Sequence, residues 1–347
     1  MFHEYAGSIH CHSRYSDGSG TIAEIINKAT SAKLDFVILT DHDTLAPLFD
    51  GYEAWHDELL LLVGQEISPK SGCHYLAFNL DKEIQGKERT DYQNLINEVN
   101  ESGGFGFIAH PYGAKKPPLL IQKGHLWTDW QVERYCGIEI WSYMVDWVNN
   151  VNFFTLIYYQ IFPEKAIKGP SSKALKKWDE IAQKRHIVGI GSTDAHALAF
   201  PFLRFIKFLP YEYLYRTIRT HVLLNEPLSK SSLHEDKRKI YSALQAGNCF
   251  IAHDIIADSS GFLFSGDTKD SGDLIMGQET KFNHKVELCV SVPHQAEIRL
   301  LRNGETIKNI NAKKLHTSTD KSGVYRVEVY LDGQPWIFSN PIFLRNS

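Results

Sequence analysis

His10 and His12 sit one residue apart at the end of a short apolar run, and Asp17 follows them. Asp194 and His196 repeat the arrangement around Ala195. In an extended strand alternate side chains point the same way, so His10 and His12 share one face and Cys11 takes the other. Two strands that each aim a pair of imidazole or carboxylate groups into one space can build a metal site. With 16 histidines among 347 residues, neither pair is informative by itself. Their placement is.

Five segments read as a buried strand closing on a ligand-type residue: 8–12, 36–42, 60–66, 106–110 and 187–194, ending at His12, His42, Glu66, His110 and Asp194. Continuous apolar runs of this length suit parallel strands covered on both faces. In a β/α barrel, chemistry gathers at the carboxyl ends of such strands. Helices fit between them. Thr21 to Glu24 is a capping box ahead of Ile22, Ile25, Ile26 and Ala29. Thr90 or Asp91 caps a helix that stops at Gly103, and Ser171 or Ser172 opens another after Pro170. The alternation predicts an α/β domain.

Around residue 230 the pattern changes. A last amphipathic helix carrying Ile240, Ala243 and Leu244 ends at Gly247. Strand-like runs follow at 286–292, 297–301 and 324–330, the second and third ahead of Asn303-Gly304 and Asp332-Gly333. Such turns mark antiparallel sheet, and a small β-sandwich is the expected form. The expected domains are therefore 1–230 and 231–347.

Hydrophobic residues make up 43% of the chain, enough for a sizeable core. A net charge of −4 gives no support for wrapping long nucleic acid. The N-terminus runs straight into the first strand, so no signal peptide is expected. Five cysteines without paired spacing fit a reducing, cytoplasmic setting. The aromatic run 153–162 is too short to span a bilayer and is expected to form a buried helix, with a lid or partner surface as the alternatives. Lys165 and Lys168 beyond it either meet an anion or solvate a face. Glu139 either lines the pocket or serves the structure. Arg14 is a candidate for gripping substrate oxygens, since a guanidinium matches phosphate or carboxylate, and a surface ion pair explains it nearly as well.

Four motifs in order, His10-Cys11-His12-Ser13-Arg14-Tyr15-Ser16-Asp17-Gly18, Thr40-Asp41-His42-Asp43-Thr44, Gly64-Gln65-Glu66-Ile67-Ser68 and Ser192-Thr193-Asp194-Ala195-His196, resemble the PHP (polymerase and histidinol phosphatase) superfamily. The resemblance covers about residues 7–200. It implies a distorted (β/α)7 barrel with two or three divalent metal ions (zinc, manganese or iron) at the carboxyl ends of its strands. The implied ligands are His10, His12, Asp17, His42, Glu66, His74, His110, Asp194 and His196. By the family pattern His10, His12 and Asp194 hold one ion, and Glu66 bridges it to a second held by His74 and His110. Asp17, His42 and His196 hold the third. His74 lies on the strand-like run 73–78, where a core role is the alternative. Asp41 and Asp43 either orient ligands or cap the turn.

A site of this kind lowers the pKa of bound water from about 15.7 toward about 7, so a metal-bridging hydroxide can attack phosphorus or an acyl carbon. No serine or cysteine nucleophile is then needed. The residues expected to carry the chemistry are Glu66, Arg14 and Asp194. The expected function is a metal-dependent phosphoesterase acting on a small, anionic phosphate ester or nucleotide. The stretches 243–252 and 335–343 resemble the carbaryl-hydrolase-type branch, which makes a carboxyl ester or carbamate hydrolase the second reading. A metal-stabilised binding module, its β-sandwich contacting a glycan or protein, is the reading of another class. Nine candidate ligands speak against it, because a structural zinc site is normally closed with four.

Overall fold

The computed structural model describes residues 2–346, apart from 71, 114–125, 198, 201–202 and 269–271. Four of the five expected strands form near their expected places, the third divided at Gly64; the first lies earlier, at His3–Ser8, so His10 and His12 follow a strand instead of closing one. In chain order the strands that surround the site are β1 (His3–Ser8), β2 (Phe36–Leu39), β3 (Ala54–His56), β4 (Leu59–Val63), β5 (Gln65–Ile67), β6 (Tyr75–Phe78), β7 (Phe105–Ile108), β8 (Gly137–Ser142) and β9 (Val188–Ser192).

Parallel pairing joins β1 to β2 and β2 to β4. The chain passes through Gly64 from β4 directly into β5, which opens a second sheet ordered β5-β6-β7-β8-β9. One departure from an all-parallel ring is β6, which runs antiparallel to both β5 and β7. The ring does not close as one continuous ladder. An isolated bridge joins Cys11 to Ala195 at the rim beyond β1 and β9, and another joins His42 to Glu66. Away from that rim the strand Ile218–Leu224 fills the gap. It pairs antiparallel with β1, and its Thr220 hydroxyl meets the Gly191 backbone at 3.2 and 2.7 Å.

Strand parity divides the core. Phe36, Ile38, Leu60, Leu62, Leu76, Phe78, Val188 and Ile190 pack together inside the ring. Their neighbours Val37, Leu39, Leu61, Val63 and Tyr75 face outward among helical residues such as Ile22, Ile25 and Leu95. This is the period-two alternation of a sheet covered on both faces. The helices follow their caps. Thr21 and Glu24 complete the capping box of Ile22–Ser31, and Asp91 caps Tyr92–Glu101. Gly247, at φ 72°, ends Leu233–Ala246.

The C-terminal strands do not stand apart from this ring. Ile218–Leu224 pairs with Cys249–His253, which pairs with Gln334–Ser339, so β1 to β4 and the C-terminal strands share one fourteen-stranded sheet among the described residues. The expected turns form there. Asn303-Gly304 joins the long strands Val286–Arg302 and Glu305–Thr319, and Asp332-Gly333 joins Gly323–Leu331 to Gln334–Ser339.

One expectation is overturned. Residues 153–162 are not a buried helix: the helix there is Leu156–Ile161, and none of its residues is buried. Hydropathy recorded the apolar character, but among the described residues none buries it. Among the described residues no helix is long and apolar enough to cross a membrane.

Candidate metal centre

The rim of the ring collects imidazoles and carboxylates from six places in the chain. His10 and His12 follow β1, with Cys11 directed away to bond the Tyr215 hydroxyl at 2.9 Å. The loop after them is tight: a Cβ on Gly18 would lie 2.2 Å from the His12 carbonyl oxygen. That loop presents Asp17. Asp41 holds it, accepting from Ser13 N at 2.8 Å, Ser13 Oγ at 2.7 Å and Ser16 Oγ at 2.6 Å. Asp43 instead accepts from the backbone of Ser68 and Gly86, so both aspartates act on loops. His42 follows β2, and Glu66 lies within β5. His74 precedes β6, whose reversed direction brings its start to the rim where the parallel strands end.

His110 and Asp194 follow β7 and β9 in left-handed backbone conformations, at φ 26° and 53°. Such conformations are uncommon for residues with a side chain and concentrate at functional sites. His196 lies two residues further on.

Glu66 sits at the centre. Its Oε2 is 3.2 Å from His10 Nε2, 3.2 Å from His12 Nε2 and 3.3 Å from His42 Nδ1. Its Oε1 is 2.8 Å from His74 Nδ1 and 3.0 Å from His110 Nε2. Asp194 Oδ1 lies 3.3 Å from His10 Nε2 and 3.4 Å from His12 Nε2. On the outer side Asp17 approaches His196 at 3.2 Å and both His12 and His42 at 3.6 Å. Three groups of these residues have donor atoms close enough to hold an ion: His10, His12, Glu66 and Asp194; His12, Asp17, His42 and His196; and His42, Glu66 and His74.

The first group fits a divalent ion by its own geometry. Nitrogen and oxygen ligands about 2.0–2.1 Å from a tetrahedral ion are separated from each other by about 3.3 Å. His10 Nε2 and His12 Nε2 are 3.1 Å apart, and their separations from Glu66 and Asp194 run from 3.2 to 3.4 Å. Two imidazole nitrogens at that distance need a proton or a metal ion between them. Asp194 Oδ1 and His12 Nδ1 are also buried without a hydrogen-bond partner, as atoms reserved for a ligand would be.

The electrostatics point the same way. Burial opposes charge on His12, yet the adjacent carboxylates of Asp194 and Glu66 hold its pKa up at about 10. Burial likewise opposes the charge on Glu66 and Asp194, but the surrounding imidazoles keep both well below the usual carboxylate range. The centre therefore favours positive charge. For His42 burial prevails and lowers the pKa to about 4, leaving a neutral imidazole.

Two further results concern residues whose roles the sequence left open. Glu139, on β8, is buried and binds His10 Nδ1 at 3.0 Å, the His110 backbone N–H at 2.7 Å and the Ser192 hydroxyl. Its apolar neighbours Ile138 and Ile140 gave the only hint of an inward-facing position. Arg14 is not brought into the cluster. It is exposed and donates to the Ser19 carbonyl at 2.8 Å.

Part of the chain is similar to a known family. Residues 8–138 match the PHP domain. The matched segment runs from the end of β1 into β8 and contains seven of the nine clustered residues; Asp194 and His196 lie beyond it. A two-domain protein of Bacteroides vulgatus ATCC 8482, containing a predicted PHP-like metal-dependent phosphoesterase, is 16% identical with a TM-score of 0.46. The similarity covers 98% of this chain and 95% of that one. PsfC of Pseudomonas syringae PB-5123 is 12% identical over 69% of this chain and 96% of its own, with a TM-score of 0.43. Endonuclease Q, in complex with a 27-mer duplex carrying an abasic lesion, is 12% identical over 67% and 57%, with a TM-score of 0.42. No curated protein matches the chain in sequence.

Proposed function

We propose that this chain is a metal-dependent phosphoesterase acting on a small phosphate ester. Glu66 carries the reading. Its two oxygens face two different sets of imidazoles, the disposition of a carboxylate shared between ions. In this reading His10, His12, Asp17, His42, Glu66, His74, His110, Asp194 and His196 hold two or three ions of the zinc, manganese or iron type. Bound there, such ions lower the pKa of a water toward about 7 and stabilise charge on the phosphoryl oxygens.

The chain's own residues prepare the site. Glu139 accepts a hydrogen bond from His10 Nδ1–H, which leaves the Nε2 lone pair facing the centre. Asp17, more than half exposed, marks the side open to water. Cys11 is excluded as a nucleophile, because burial raises its thiol pKa above the ordinary range and it points at Tyr215. A cavity of about 300 Å³ is lined by His110 and Glu139 together with Asn149, Asn150 and Lys168. That size suits a small molecule, and the lysine and amides suit an anionic one. Residues 1–230 are the catalytic unit in this proposal, with 231–347 as scaffold. No disulfide joins the five cysteines, which supports a cytoplasmic setting.

The test is hydrolysis of matched chromogenic substrates by protein loaded separately with Mn²⁺, Zn²⁺ or Fe²⁺. The panel is a phosphomonoester, a phosphodiester and a carboxyl ester, with chelator and Glu66→Ala controls. Chelator-sensitive phosphomonoester cleavage supports the proposal. Carboxyl ester cleavage alone replaces it with the ester or carbamate reading, and metal binding without any turnover replaces it with a binding role.

A further inference from the structure

Two neighbouring stretches that line the cavity are joined by the most exposed apolar segment described. Val145, Asp146, Asn149 and Asn150 line it, and so do Lys168 and Gly169, whose backbone N–H groups donate to the Asp146 carboxylate. Between them the chain makes an excursion away from the body. Phe153, Phe154, Ile157 and Ile161 are 73, 90, 75 and 64% exposed, and Tyr158 and Phe162 are exposed as well.

The excursion is held in this form. The Asn152 side chain accepts from the backbone of Phe154 and Thr155, and buried Trp147 donates to the Tyr159 carbonyl at 3.3 Å. Buried Ala166 anchors the return. Exposed apolar residues on a soluble surface are usually scattered, so a fixed cluster of this size marks an interaction site.

Charge identifies the partner. Residues 151–178 hold five lysines against Glu164 alone, in a chain whose net charge is −4. Lys177 pairs with Glu180 at 2.8 Å, while Lys165, Lys168, Lys173 and Lys176 are exposed. A second copy docked about a two-fold axis would set these lysines against themselves. An anionic lipid surface satisfies both features, since phenylalanines enter the acyl boundary while lysines meet the headgroups. The six-residue helix is far too short to cross a bilayer.

We propose that the 152–168 excursion docks this protein on an anionic lipid bilayer and holds the mouth of the cavity at headgroup level. The experiment is flotation of metal-loaded, full-length protein with two kinds of vesicle. One is phosphatidylcholine alone and the other contains about one third phosphatidylglycerol. Wild-type protein should float with the anionic vesicles, and rising salt should weaken it.

Phe153→Ser/Phe154→Ser/Ile157→Ser should reduce binding about tenfold or more. Lys165→Gln/Lys173→Gln should reduce it roughly tenfold on the anionic vesicles only. All five side chains are exposed, so melting temperature and metal content should match wild type. Absence of flotation overturns the proposal, as does equal flotation by the serine variant. So does a dimer abolished by the serine variant without vesicle binding. Capture of a short DNA duplex in place of vesicles, with the same dependence on these residues, overturns it too.

Discussion

Glu139 Oε1 lies 3.0 Å from His10 Nδ1, and Oε2 takes the backbone N–H of His110 at 2.7 Å. One carboxylate therefore sets the ring of one candidate ligand and the backbone of another. A carboxylate only accepts, so neutral His10 carries its proton on Nδ1 and offers Nε2 to the centre. Glu139→Gln should weaken metal affinity about 10- to 100-fold, measured by competition with a chromogenic chelator. Unchanged affinity would reduce Glu139 to a packing role.

Glu66→Ala should lose at least one ion per chain and nearly all hydrolysis, read by metal analysis and turnover. In the wild type, free metal at about 100 times its Kd should add about 2.7 kcal/mol to stability, and chelation should remove it. Retention of both full metal content and full activity by Glu66→Ala would eliminate the bridging role.

His221 gives the fold a pH dependence remote from the centre. It lies 2.7 Å from Glu4 and 2.9 Å from Asp254, with Arg219 3.3 Å from Asp254 on the other side. Burial pulls the imidazole pKa down, but Asp254 and Glu4 outweigh burial and hold it up at about 9. The fold thus prefers the charged form. Its contribution, on the order of 3 kcal/mol, is complete below the unfolded value of about 6.5 and fades as pH rises through about 9. Urea midpoints should fall across that window, and His221→Phe should flatten the profile. A wild-type midpoint that stays level from about pH 6 to 10 counts against this account.

Arg326 ties the C-terminal strands to the ring. It is buried, pairs with Asp179 at 2.6 and 2.8 Å, and reaches Glu328 at 2.6 Å. Arg326→Ala strands two carboxylates and should cost about 3–5 kcal/mol by denaturant titration. Residues 1–230 alone should aggregate, because they expose the edge of Ile218–Leu224 that pairs with Cys249–His253. A soluble, fully active 1–230 fragment would refute that dependence.

Arg14→Ala probes substrate contact at the rim. The side chain is exposed, so stability should change by less than about 0.5 kcal/mol. The proposed outcome is a fall in kcat/KM for phosphate esters with metal content intact. An unchanged kcat/KM removes Arg14 from the site.

Much of the centre was legible in the sequence because its signals are local. A side-chain period of two puts His10 and His12 on one face, and an apolar run ending in His42, Glu66 or Asp194 places that residue at a strand end. His74 carried no such signal. It precedes its strand, and only the reversed direction of β6 brings it to the rim. Glu139 read as wall or scaffold until its partners on β1, β7 and β9 were in place.

By itself, then, the sequence determined the main apolar runs, the caps at Thr21, Asp91 and Gly247, the C-terminal turns and the candidate ligands, since each depends on neighbours within a few residues. Tertiary structure decided that the ring meets only at its rim, through Cys11 and Ala195. It decided that the C-terminal strands continue the same sheet, and that the aromatic run lies open. Those outcomes depend on which distant faces meet, and local spacing does not encode that.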